Sequence, residues 1–224
     1  MSELWLLLQS PASNAATNMA MDEALLRDAA QRRLPLLRVY AWAQPAVSVG
    51  YFQNFPTDLA PKYEIVRRPT GGGVVYHGND TTYTVVVPPG HPLYEMPTAA
   101  AYRALHRAVA TALGQGAELC DSVPSLPRGQ YECFQRPMPG DVVAGGKKLA
   151  GAAQRRTKHG MLHQGSIAAN VSADQLQSGF HKTFQAEFQP YELLSVEKAL
   201  AERLAREKYA TDAWNRKVQH RAGR

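Results

Sequence analysis

The order of the apolar runs constrains this chain most. Short β-type runs come in clusters, and helical periodicity stands before, between and after them. The regular strand–helix–strand alternation of a parallel α/β sheet is missing, which predicts an α+β fold with a mostly antiparallel β-sheet flanked by helices. Asn14 to Arg33 reads as a helix, with Met19, Met21, Ala24, Leu25 and Leu26 on an apolar face and Arg32-Arg33 at its C-terminal end. Leu36 to Trp42 and Ala46 to Phe52 read as strands divided by a turn at Gln44-Pro45, and Glu64 to Arg68 and Thr81 to Val87 are further strand candidates. Pro97 to Leu113 reads as a second helix, with proline at its start. Asp121 to Gly140 carries four prolines and reads as a loop. Asp141 to Ala144, Lys147 to Gln154 and Gly160 to Ala169 form a strand meander, with Gly145-Gly146 turning between the first two. Ser172 or Asp174 caps a short helix to Gly179, and Glu192 to about Gln219 reads as charged and helical.

A length of 224 residues suits one domain, and no linker or solenoid-type repeat interrupts it. The apolar run Leu4 to Leu8 lacks the basic flank and the length of a signal peptide, so it reads as a buried strand. No segment reaches the roughly 20 apolar residues that span a bilayer, and a cytoplasmic setting without a membrane partner is expected. Cys120 and Cys133 do not make a disulfide framework. The net charge of +6 favours acidic partners. The basic residues are scattered, without the aromatic interleaving of a nucleic-acid face, so no nucleic-acid partner is expected.

Three elements carry candidate chemistry. Gly71-Gly72-Gly73 follows a strand and Arg67-Arg68, and bare backbone there lets N–H groups approach an anionic or carbonyl ligand. It is neither a phosphate-binding P-loop nor a dinucleotide fingerprint. Arg68 and His77 beside it, with Val75 between, join the candidate binding set. Cys133 lies in the proline-rich loop, and Lys148 follows fifteen residues later on a strand, as a cation able to lower a thiol's pKa. A cysteine is also commonly an inert apolar filler. His163, ahead of Gln164-Gly165-Ser166, is a further candidate, as a binding or a structural histidine. His159 and His163 stand four apart, but neither a glutamate nor a Cys-x-x-Cys accompanies them, and no metal site is expected. Asp22-Glu23 are adjacent on a helix, so they point apart and read as ordinary helix charge.

Taken together, five segments resemble the biotin/lipoate protein ligase catalytic-domain family. They are Asn18 to Ala24, Ser48 to Asn54, Arg67 to Gly73 with His77, Gly146 to Gln154, and His163 to Ile167, in family order. The resemblance implies one catalytic domain over 1–224 with a helical C-terminal segment at about 190–220. Within the family the chain is most similar to the cysteine/lysine octanoyltransferases, whose nucleophile and lysine fall at Cys133 and Lys148. That implies a Cys133 thiolate, stabilised by Lys148, taking octanoyl from a carrier-protein thioester and passing it to a lysine of a lipoyl-accepting protein. Octanoyl-acyl carrier protein or another octanoylated carrier is the implied donor. An apo lipoyl domain or a glycine cleavage H-type protein is the implied acceptor, and the enzyme is a monomer with no cofactor. Backbone amides near Gly151-Ala152 and the glycine loop would serve an oxyanion, with Gly165 nearby. An apolar tunnel would hold the acyl chain at about 0.8 kcal/mol per buried methylene.

The Gly-Gly-Gly form of the loop also resembles ATP-dependent lipoate–protein ligases. In that alternative ATP and Mg2+ are used, lipoyl-AMP is the intermediate, Lys148 and Arg68 face the acyl-phosphate, and Cys133 is incidental. A third alternative is a family member that only binds acylated or acceptor proteins.

Overall fold

A computed structural model describes residues 2–114, 116–122 and 136–217. In chain order the elements are β1 (Glu3–Gln9), α1 (Ala15–Arg32), β2 (Leu36–Tyr40), β3 (Ala46–Val49), β4 (Glu64–Arg67), β5 (Val74–His77), β6 (Thr81–Val87), α2 (Pro92–Glu95) and α3 (Thr98–Leu113). Then follow β7 (Glu118–Leu119), β8 (Val142–Ala144), β9 (Lys147–Thr157), β10 (Gly160–Ile167), α4 (Ala173–Phe184), β11 (Ala186–Pro190), α5 (Ser195–Leu204) and, after a π-helical turn at Ala205–Tyr209, α6 (Asp212–Asn215).

Eight strands form one sheet in the order β11-β1-β2-β6-β10-β9-β8-β7, antiparallel from β2 onward and parallel where β1 meets β2 and β11. The α+β expectation holds, and the parallel edge is an addition to it. Both faces are covered, and side chains sort by strand alternation. Leu6, Leu8, Val86 and Leu162 pack with Leu25, Leu26 and Ala29 of α1. Trp5, Leu7, Val85 and Met161 pack with Leu105 and Val109 of α3 and Phe180 of α4. This double cover explains why all seven residues of β6 are buried.

A second sheet, β4-β3-β5, stands beside the first. A separate apolar cluster joins it to the chain's C-terminal part through Ala46, Val66, Ala201, Leu204 and Tyr209. Arg67 makes the same connection with hydrogen bonds. Its guanidinium donates to the carbonyls of Gly50, Tyr51, Gln53, Trp214 and Asn215, and its N–H donates to Asn215 Oδ1 at 2.8 Å. Arg67 is therefore a buried clasp between the segment after β3 and α6, not a ligand-facing cation.

Local signals explain most of the boundaries. Asn14 caps α1 by accepting from Thr17 N–H at 2.8 Å, and Arg33 ends it in the left-handed conformation. Ser172 and Gln175 form a reciprocal capping box on α4. That helix runs to Phe184, beyond the predicted Gly179, because Phe180 meets Trp5 of β1 edge-on and Phe184 stacks on it. The meander β8–β9–β10 forms as predicted, around the turn at Gly145-Gly146.

The pair Asp22-Glu23 is a correction to the sequence reading. Both carboxylates are buried in ion networks rather than lying on a solvated face. Asp22 pairs with Arg38 at 2.7 Å and accepts from Tyr40, Thr84 and Gln164. Glu23 accepts from Arg27, Lys208 and Tyr209.

Candidate active site

An open-mouthed cavity lies where the small sheet meets β9 and β10 of the large one. Of the residues predicted for a site, Arg68, Gly72, Gly73, Val75, His77, Lys148, Gly151, Ala152 and Gly165 line it. These positions come from three separate stretches of chain, and only the packing of the two sheets brings them together.

The glycine loop is held open by its neighbours. Arg68 donates from Nε and Nη2 to the Gly71 carbonyl at 3.1 and 2.7 Å, and from Nη1 to the Ser48 carbonyl at 2.9 Å. Arg68 thus braces the loop as well as bordering the cavity. Gly50 N–H donates to the Gly73 carbonyl at 3.0 Å, and a Cβ on Gly50 would stand 2.0 Å from the Gly72 carbonyl oxygen. Gly72 itself has φ +87°. Gly71 does not border the cavity; its carbonyl is the anchor that Arg68 holds.

Lys148 stands beside a bulge. On β9, Lys148 and Ala150 oppose the neighbouring residues Val143 and Val142 of β8, so β9 carries one extra residue there. Its Nζ lies 2.7 Å from Asp141 Oδ2, and both side chains are largely buried. The stem of Lys148 crosses the backbone of Gly151, where a Cβ would come within 2.5 Å of Lys148 Cε. Asp141 is itself fixed, by Tyr102 O–H at 2.5 Å and by Met138 N–H at 2.8 Å. Burial and the Asp141 charge both push the Tyr102 phenol far above its ordinary value, so it stays a neutral donor.

Two expectations need correction. Ala152 N–H donates to Tyr102 Oη at 3.0 Å and is committed within the fold, so it is no oxyanion donor. His163 does not reach the cavity. Strand alternation turns it to the α3 side of the sheet, where it is fully buried, 3.1 Å from Tyr83 Oη and with its ring 5.4 Å from that of His106. Burial, with the neighbouring His106, holds its pKa well below the ordinary value. Gly165 shares that orientation, since its missing side chain would strike the Tyr83 ring, and only its backbone borders the cavity.

Sequence reasoning passed over Ser48, Gln164 and Ser166, which line the cavity. For the last two the signal was available. Alternation along β10 sets Gln164 and Ser166 opposite His163. Gln164 donates to Asp22 at 2.7 Å and accepts from Thr70 at 2.8 Å, linking α1 to the start of the glycine loop.

Cys133 lies outside the described residues. Cys120 is a buried free cysteine. Among the described residues no group of three or more histidine, cysteine, aspartate or glutamate side chains is placed to hold a metal ion, and no helix is long and apolar enough to cross a membrane.

Residues 14–211 match the family model of the lipoyl protein ligase A/B catalytic domain. Octanoyltransferase LipM of Macrococcus caseolyticus is 37% identical over 195 residues, covering 79% of this chain and 70% of the relative. Octanoyltransferase LipM of Bacillus subtilis is 31% identical over 278 aligned positions, covering 96% of this chain and 99% of the relative. An alignment of that length against 224 residues means that the Bacillus protein carries inserted segments absent here. Among solved structures, lipoate-protein ligase A bound with ATP superposes with a TM-score of 0.76 at 26% identity, covering 98% of this chain and all of that one. A T. acidophilum lipoate protein ligase structure with bound lipoic acid gives the same score and identity, over 97% of this chain.

Proposed function

This chain belongs to the lipoyl protein ligase A/B catalytic-domain family, and from that membership we infer that it is a protein octanoyltransferase of lipoate assembly, as its curated relatives are named. The observation that carries the reading is Lys148: a buried cation, held by Asp141, at the edge of an apolar-walled cavity beside bare backbone at Gly151.

In the mechanism we propose, the Cys133 thiolate attacks the octanoyl thioester of a carrier protein. The Cys133 S–C bond forms, the carrier thiol leaves, and the octanoyl chain lies in the cavity with Lys148 near the reacting sulfur. The ε-amine of an acceptor lysine then attacks the acyl-enzyme, an amide forms, and Cys133 is released. No cofactor takes part. An octanoylated acyl carrier protein suits the donor role, and an apo lipoyl domain or a glycine cleavage H-type protein the acceptor role. The net charge of +6 favours encounter with acidic partners of both kinds.

The test is octanoyl transfer from octanoyl-carrier protein to an apo lipoyl protein without ATP. Transfer is expected, and Cys133→Ala abolishes it. A requirement for ATP and free acid, with activity surviving Cys133→Ala, would instead establish the ligase reading suggested by the Gly71–Gly73 loop. Binding without turnover in either format would establish a non-catalytic binder.

A further inference from the structure

A second nucleophile arrangement borders the same cavity and has no part in the cysteine relay. Ser48 Oγ lies 2.8 Å from His77 Nε2, and His77 Nδ1 lies 2.8 Å from Asp80 Oδ2. The proton positions follow from what surrounds the carboxylate. Asp80 accepts from Ser166 Oγ at 2.6 Å, Thr82 Oγ1 at 3.0 Å and Gly78 N–H at 3.1 Å. Burial works to raise its pKa, but the hydrogen bonds from His77, Ser166 and Gly78 lower it, and the carboxyl sits below its ordinary value, ionised. The Nδ1 position therefore carries the proton. Burial also lowers the His77 pKa, so the ring is neutral and Nε2 offers a lone pair to the Ser48 hydroxyl.

The ring plane is fixed. Trp42 stacks on His77 with centroids 4.0 Å apart and planes 15° from parallel, and the indole donates to Thr82 at 2.8 Å. Arg68 Nη1 donates to Ser48 Oγ at 3.2 Å, a cation beside the oxygen on which negative charge would develop. Nucleophile, base and orienting carboxylate thus stand in the order that activates a serine.

A polar bridge that only braced the strands would be sealed from both sides, and this one is not. Ser48 and His77 border the acyl cavity, while His77 and Asp80 also border a second, open cleft between Tyr63, Tyr76 and Gly78. The acyl cavity gives a substrate carbonyl, and after it water, a way to Ser48 Oγ and His77 Nε2, while the second cleft opens the Asp80 end.

We propose that Ser48, activated by His77 and Asp80, is a second acyl-accepting nucleophile, and that it gives this cavity a hydrolytic activity toward octanoyl esters and thioesters. The Ser48 O–H proton passes to His77 Nε2 as Oγ bonds to the acyl carbon. The C–O or C–S bond of the substrate then breaks, and the leaving group takes the proton from His77. Water next attacks the Ser48 ester, giving a proton to His77 that returns to Ser48 as octanoic acid departs. One water is consumed per ester, and nothing is oxidised or reduced.

The test uses the whole chain carrying Cys133→Ala, so that a thiolate at that position contributes nothing and failure here leaves the transferase reading untouched. Treated with a fluorophosphonate probe and digested, the protein is expected to carry the adduct on the peptide containing Ser48. With p-nitrophenyl octanoate it releases p-nitrophenol, and adding Ser48→Ala lowers that rate about a hundredfold. The adduct measurement needs no change at Ser48 and is independent of how that variant folds. Absence of the adduct, its appearance on another residue, or hydrolysis unaffected by Ser48→Ala would overturn the proposal.

Discussion

At the scale of single residues, the chemistry of the site rests on where charges find their partners. Arg67 and Arg68 are neighbours in sequence, yet one clasps the C-terminal segment and the other braces the glycine loop. Their alternating strand directions separate them, and no property of the two side chains does so. Lys148 was legible in the sequence as a candidate cation, but Asp141 was not legible as its partner. Asp141 precedes β8 and comes opposite Lys148 only once β8 and β9 pair around their bulge. Asp141→Asn keeps the size of the side chain and removes the charge, leaving a buried ammonium without its carboxylate. Octanoyl transfer is expected to fall at least about tenfold, and urea unfolding to lose about 3 kcal/mol. A variant with full activity would show that Lys148 does not depend on Asp141.

Among the elements, the glycine loop depends on a strand end that is remote in sequence. The carbonyl of Gly72 packs against Gly50, at the end of β3, so closely that no Cβ fits. Gly50→Ala is expected to displace the loop, lowering stability by about 1–3 kcal/mol and raising KM for the octanoyl donor more than it changes kcat. Steady-state kinetics beside a denaturation curve measure both, and unchanged values would mean that the loop moves aside freely. Helices such as α1, capped by Asn14, and α3, opened by Pro97, were readable from the chain, because their signals lie within a few residues of one another. The strands β5, β7 and β11 were not. They run to five residues at most, and what makes them strands is a partner far away, as when β11 joins β1 in parallel.

The whole molecule buries histidines between its layers, and that has a cost in acid. Burial lowers the His106 pKa to about 4, with the Gly140 carbonyl and Asp141 opposing it, and His163 beside it is also lowered by burial. In the unfolded chain each would titrate near 6.5. Between those values the unfolded state binds more protons, so stability is complete above about pH 6.5 and declines as pH falls toward 4. His106 alone accounts for about 2 kcal/mol lost at pH 5 relative to pH 7. Urea titrations at the two pH values check this, and the difference should shrink in a folded His106→Phe variant. An equal loss in that variant would place the acid sensitivity elsewhere.

The sequence by itself determined the class of fold, the positions of α1 and α3 and the β8–β10 meander, while the single helix expected over Glu192 to about Gln219 is broken into α5, a π turn and α6. The features it determined depend on hydrogen-bonding rules and periodicities that act over a few positions. The tertiary structure decided which of the candidate residues share a cavity. It turned His163 inward, committed the Ala152 amide to Tyr102, buried Asp22 against Arg38 and set Ser48 against His77. A side chain's face and partner follow from the pairing of strands distant along the chain, and burial then sets its charge.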